Sequence, residues 1–350
     1  MEKIEDLLNK MVKENASDLI LEAGAPAALR INGDLRFDRK PYAAAELKTL
    51  LLSMLSPEQQ ARLEKDRQID FSYELPSGER FRSNVHYQRG SLAAAIRAVP
   101  NVLPDRKILH LPEVVEDLAN LESGLIIVTG PTGSGKTTTQ ASIVELINRK
   151  RAAHIITIED PIEYMFKNNK SVIEQREIGS DANDFPSALR AAVRENPDVI
   201  LIGEMRDLET ISTAVTAAET GHLILSNLHT ANATNAIDRI IDVFPSHQQN
   251  QIRNQLALCL QAVIAQQLIP KIDKSGLIIA VEYLKVTPAV QNLIRRNQTY
   301  EIPSLMAVGK KYGMQSMDES LANLYKKDLI SMDQALVRST DPEAFKKRIG

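Results

Sequence analysis

The chain has 350 residues, 42 Lys plus Arg against 45 Asp plus Glu, and one cysteine. Its 43% hydrophobic and 25% charged content excludes collagen, coiled-coil rods and wholesale disorder. A net charge of −3 argues against a general nucleic-acid binder but leaves room for a local basic patch. The length suits two domains with a core in each. No stretch approaches the roughly 20 apolar residues of a transmembrane helix. The charged start Met-Glu-Lys-Ile-Glu-Asp leads into no apolar run, so no signal peptide is expected, and the reading is a soluble cytoplasmic protein. Cys259 lacks a disulfide partner, and Gln-Leu-Ala-Leu-Cys-Leu-Gln-Ala-Val-Ile reads as a buried helix.

Helical spacing of Ile4, Leu7, Leu8, Met11 and Val12 predicts a first helix. Asp18 to Leu21 reads as a strand, broken by Gly24-Ala25-Pro26. Leu29-Arg30-Ile31 before Asn32-Gly33 reads as a hairpin. Residues 44–66 read as helical, restarting at Ser56-Pro57-Glu58. Strands are expected at Ile69–Leu75, Arg80–Tyr87 and Ser91–Val99. Residues 1–99 are thus expected to form an α+β domain, and the proline-rich stretch 100–112 a linker.

From 113 to 350 the pattern alternates, with strands at 125–129, 154–159, 198–202 and 222–228. Each is expected to lead through a loop to a helix, which implies a parallel-rich sheet covered on both faces. After about residue 288 the chain reads as all-helical.

Gly130-Pro131-Thr132-Gly133-Ser134-Gly135-Lys136-Thr137 fits G-x-x-x-x-G-K-[ST] between an apolar strand and a helix. Glycines let successive N–H groups turn toward phosphate oxygens, and the helix points its positive end at them. Lys136 reaches the β- and γ-phosphates, and Thr137 offers a hydroxyl to Mg²⁺. Thr138 is counted with residues 130–137 among the expected nucleotide-binding residues.

The apolar run Val199–Ile202 leads to Gly203 and Glu204, a candidate second acid for the cation; the alternative is a surface glutamate paired with Arg206. Glu159-Asp160-Pro161-Ile162-Glu163 follows another strand and offers a carboxylate to orient water, or is a solvated acidic loop. His222 and His229 flank a strand seven residues apart, so alternation opposes a shared metal. Their useful role is a hydrogen bond to the γ-phosphate or to an acid; the alternative is a structural histidine.

These boxes, in this order and spacing, resemble the secretion ATPases of type II secretion and type IV pili, most closely the pilus-retraction branch. The short chain, the lone Cys259 where assembly ATPases carry a four-cysteine zinc insertion, and Gly313-Met314-Gln315-Ser316-Met317-Asp318-Glu319-Ser320-Leu321 favour that branch. The resemblance implies a PAS-like N-terminal domain and a RecA-like P-loop domain with C-terminal helices. It places the catalytic glutamate on Glu163, the Walker B acid on Glu204 and the His box on His222 and His229. It also implies that Arg82 and Arg97, with Arg80 as an alternative, bring positive charge to the phosphates.

As a whole it implies an ATP- and Mg²⁺-dependent homohexamer at the cytoplasmic face of the inner membrane, acting on a PilC-like platform protein and through it on pilin. Nucleic acid is not an expected ligand. The open alternatives are an assembly or secretion ATPase, an accessory paralogue, a nucleotide switch and a RecA-like DNA motor. Two departures stand out: Ser226-Asn227 where Gly-Thr is usual before Leu-His-Thr, and Gln291 and Arg296 where an arginine and an acid are usual.

Overall fold

The computed structural model describes residues 3–31, 33–100, 103 and 106–349. Asn32 of the expected hairpin turn, and residues 101, 102, 104 and 105 of the expected linker, lie outside the described residues. The chain divides into two compact units, Met1–Val102 with Glu163–Met165, and Leu103–Ile162 with Phe166–Gly350.

The first unit opens with α1 (Ile4–Lys13), which buries Ile4, Leu7, Leu8 and Met11. Val12 stays 38% exposed; it lies about 80° round the helix from Ile4, at the edge of the apolar stripe. Next come β1 (Asp18–Glu22), β2 (Pro26–Ile31), β3 (Asp34–Pro41), α2 (Ala44–Leu52) and α3 (Pro57–Asp66). Ser56 starts α3 by accepting from Gln59 N, while the Gln59 side chain accepts from Ser56 N. After β4 (Gln68–Glu74), β5 (Arg80–Gln88) and β6 (Ser91–Ala98), the strands form an antiparallel sheet in the order β3-β2-β1-β6-β5-β4. Leu8, Leu19, Leu21, Leu47, Leu51, Phe81, Val85 and Ile96 fill its core. Each such side chain contributes about 1.5–3 kcal/mol when fully buried.

The second unit runs α4 (Val114–Leu118), β7 (Gly124–Thr129), α5 (Lys136–Lys150), β8 (His154–Glu159), β9 (Val172–Glu177), α6 (Phe185–Ala192), β10 (Val199–Ile202), α7 (Leu208–Glu219) and β11 (Leu223–Leu228). It continues with α8 (Ala233–Asp242), α9 (Ser246–Cys259), β12 (Leu260–Pro270) and β13 (Leu277–Lys285). The chain then turns helical: α10 (Pro288–Arg295), α11 (Ile302–Val308), α12 (Met317–Lys326), α13 (Met332–Arg338) and α14 (Pro342–Ile349). The sheet order is β13-β12-β7-β11-β10-β8-β9, parallel except for the β12–β13 hairpin.

The strand period of two divides the side chains between two helical layers. Leu125, Ile127, Ile200, Ile202 and Ile224 join the core shared with α6 to α9. Ile126, Val128, Val199, Leu201, Leu223 and Leu225 join the core shared with α4 and α5. The α/β class follows from this double burial. Among the described residues no helix is long and apolar enough to cross a membrane.

Two expectations need correction. The strand at 154–159 leads into another strand, β9, before any helix. That edge strand, Val-Ile-Glu-Gln-Arg-Glu, is mostly half-exposed and lacks the apolar run of a central strand. The segment around Cys259 is also not one helix, because α9 stops at Cys259 and Leu260 starts β12. A continuous apolar run reads equally as buried helix or buried strand.

That strand positions the glycine-rich loop. Gln266 of β12 is fully buried; its Nε2 donates to Ser134 O at 2.7 Å, and its Oε1 accepts from Thr139 Oγ1 at 2.9 Å. Gln266→Leu removes both partners and is expected to cost about 2–4 kcal/mol. A denaturant midpoint equal to that of the wild type would contradict this clamp. Burial first, and the Glu219 charge second, push the Cys259 thiol up to about 12. Iodoacetamide at pH 8 is therefore expected to label Cys259 only after unfolding, and rapid labelling of folded protein would overturn that expectation.

Candidate active site

The site begins where β7 ends. Thr129 and Thr230 tie that end to the segment after β11: Thr230 N donates to Thr129 Oγ1 at 2.9 Å, and the two hydroxyls lie 2.8 Å apart. Residues 130–135 then wrap into α5, whose first residue is Lys136. Gly130, Gly133 and Gly135 have φ of 143°, 76° and 84°, in the region that favours glycine. At Gly130 the demand is also steric, since a Cβ there would collide with Gln266 O and sit 2.7 Å from Ser134 Oγ.

Lys136 is buried and donates Nζ to Gly130 O at 2.9 Å and Pro131 O at 3.0 Å. Its ammonium also lies 3.3 Å from His229 Nδ1. His229, exposed just past β11, turns Nε2 toward Glu204 Oε2 at 3.4 Å. Glu204, with only 15% of its side chain exposed, also pairs with Arg206 Nε at 2.5 Å. Glu204 thus faces Arg206 and His229 at once. Three adjacent strand ends bring together a cation, an imidazole and a carboxylate beside a nest of loop amides.

Thr137 and Thr138 are half-buried at the start of α5. Pro131, Thr132 and Gly133 form the loop's exposed rim, and Ser134 is buried beneath it. Ser134 Oγ has no hydrogen-bond partner among the described residues.

His222 is not brought to this cluster. It precedes β11, where its Nδ1 lies 3.0 Å from Ala217 O, so the length of the strand, about 20 Å, separates it from the loop. The physical reason is that β11 runs from one edge of the sheet to the other. In the acidic segment, Glu159 is buried and accepts from Thr157 Oγ1 at 2.6 Å and Gln175 Nε2 at 3.2 Å. Glu177, also buried, accepts from Ile162 N at 3.0 Å. Glu163 is exposed. The bond between Asp160 and Pro161 is cis.

Arg82 and Arg97 lie in the first unit, directly opposite each other on β5 and β6. Both are exposed. Like charges so placed repel, and Asp18, opposite Arg97 on β1, offsets this. Its Oδ1 accepts from Arg97 Nε at 2.8 Å, and its Oδ2 lies 3.5 Å from Arg30 Nε. Burial pushes the Asp18 carboxyl up, but hydrogen bonds from Arg97 and Ser17 and the charges of Arg97 and Arg30 outweigh it and hold the group below its ordinary value. Asp18, Arg82 and Arg97 line a shallow cavity of about 150 Å³ with Asp70, Asn84, Ala95 and Ile96.

Sequence reasoning missed Gln266 and Gln140 altogether. Gln266 stands beside Gln267, and Gln140 follows Thr137-Thr138-Thr139, so neither is set apart from its neighbours in the sequence. Asn227 was visible only as a departure from the usual Gly-Thr.

Residues 2–297 match the family described as Type II/IV secretion system protein. The type IV pilus retraction ATPase PilT of Pseudomonas aeruginosa is 41% identical over 343 residues, covering 98% of this chain and 99% of that protein. A twitching motility protein of Neisseria gonorrhoeae is 42% identical over 318 residues, covering 91% of this chain and 85% of that protein. The crystal structure of the pilus retraction motor PilT with bound ADP superimposes with a TM-score of 0.92 at 46% identity, covering 99% of this chain and all of that one. With its P-loop, its paired acid and histidine at neighbouring strand ends and these likenesses, the chain belongs to the type II/IV secretion ATPase family and is an ATPase.

Proposed function

We propose that this ATPase is the motor of type IV pilus retraction, working as a homohexamer at the cytoplasmic face of the inner membrane on a PilC-like platform protein. The observation that carries the chemistry is the Lys136–His229–Glu204 contact chain across three adjacent strand ends. The pilus assignment is supported by the near-complete coverage of relatives named for retraction and twitching motility.

The loop amides and Lys136 hold the ATP phosphates, with Lys136 exchanging the carbonyls of Gly130 and Pro131 for phosphate oxygens. Thr137 and Glu204 are hard oxygen donors. That suits Mg²⁺, which is held by one or two protein oxygens together with phosphates and water. When bound, the cation supplies charge neutralisation at the β- and γ-oxygens.

Glu163 orients the attacking water and accepts its proton. His229 passes the state of the Lys136 side of the site to Glu204. Arg82 and Arg97 offset the charge that develops on the transferring phosphoryl group. Its release removes their attraction and lets the first unit rotate about residues 100–112, a motion passed round the ring.

A second reading, an accessory paralogue, draws on Gln291 and Arg296 in α10 and at its C-terminal cap. These replace residues linked to retraction rather than to hydrolysis.

Purified Glu163→Gln is expected to lose at least about 100-fold in phosphate release while still binding ATP. Lys136→Ala is expected to lose ATP binding. Wild-type turnover in Glu163→Gln rejects its assignment as the base. In cells, a null mutant with excess pili supports retraction, bald cells support assembly, and unchanged piliation supports the accessory role.

A further inference from the structure

Two buried amides meet behind Glu204. Asn227, in the last turn of the pleat of β11, is 7% exposed, and Gln140, one turn into α5, is 1% exposed. Asn227 Nδ2 donates to Gly203 O and lies 3.3 Å from Gln140 Oε1. The Asn227 carbonyl accepts from Met205 N at 3.3 Å. Asn227 therefore grips the residues on both sides of Glu204, one through its side chain and one through its backbone. Beside it, Ser226 Oγ donates to Ile202 O at 3.0 Å.

The parallel ladder does not require the side-chain bond. Asn227 Oδ1 and Gln140 Nε2 have no hydrogen-bond partner among the described residues, so each amide uses only part of its capacity. Buried polar groups left in this condition call for a reason other than packing. Threonine, usual at this position in the family, has one hydroxyl proton and cannot donate to both Gly203 O and Gln140 Oε1. The asparagine has two.

We propose that Asn227, backed by Gln140, is a positioning residue that fixes the Gly203–Met205 turn against α5 and so sets how well Glu204 serves a divalent cation at the loop. This rests on the reading of Glu204 as the cation's acid. Residues that orient a ligand from behind typically govern 10–100-fold in metal affinity.

The test measures ADP binding to the full chain by calorimetry with and without Mg²⁺, alongside the Mg²⁺ concentration giving half-maximal turnover. Asn227→Ala is expected to reduce the Mg²⁺ enhancement of ADP affinity about tenfold. It should raise the half-maximal Mg²⁺ by a similar factor and leave Mg²⁺-free ADP affinity unchanged. Asn227→Thr, closer in size, guards against a folding defect and should shift in the same direction by less, as should Gln140→Met.

An unchanged Mg²⁺ response in folded Asn227→Ala overturns the proposal. So does an equal loss of ADP affinity with and without Mg²⁺, which marks a merely structural role. Glu204→Gln separates the two layers. If it keeps the wild-type Mg²⁺ response, the reading of Glu204 fails and takes the proposal with it. If it loses that response while Asn227→Ala keeps it, the proposal alone fails.

Discussion

Lys136 faces His229, and His229 faces Glu204, because β7, β11 and β10 run in one direction and end at the same edge of the sheet. The register pairs Thr129 with Leu228 and Ile202 with Ser226, so β10 stops two residues before β11 and the chain reaches Glu204 beside the end of β11. Both faces of these strands are buried, which leaves no room for chemistry along their length. It is confined to the carboxyl edge, where the ladder stops and backbone groups become free to bind a ligand. A one-residue slip of β11 would exchange its two buried faces, turning Ser226 and Asn227 away from their present partners.

The loop is held from the other side by a strand that does not contribute to its sequence motif. β12 lies next to β7, and Gln266 bonds the loop at Ser134 and the helix at Thr139. The strand's partner β13 sends Glu282 to the start of α8, where it accepts from Ala233 N at 2.8 Å. Burial pushes this carboxyl up against the opposing effect of that hydrogen bond. The glycine-rich turn is thus one wall of a layered frame, with its shape set by neighbours far away in sequence.

Much of this was legible in the residues. The phosphate loop, the approach of β10 to Glu204 and that of β11 to His229 follow from apolar runs that stop just before a glycine, an acid or a histidine. The antiparallel sheet of the first unit follows from alternation and from turns such as Pro76-Ser77-Gly78-Glu79. What was hidden depends on long-range pairing. β9 is an edge strand with no apolar signature. Leu260–Pro270 is apolar enough to pass for helix, so Gln266 could not be aimed at anything. The two histidines share a box in the sequence, but one strand length separates them in space. Asn227 looked like a small departure until its neighbours on α5 and β10 were known.

The ring of His229 sits between a group that can only donate and one that can only accept. Of the two neutral tautomers, those neighbours suit the one with the hydrogen on Nε2 and the lone pair on Nδ1. The ring therefore gives this edge of the sheet a polarity, acid behind and ammonium in front. When an anion draws the ammonium away, that lone pair is left facing the loop.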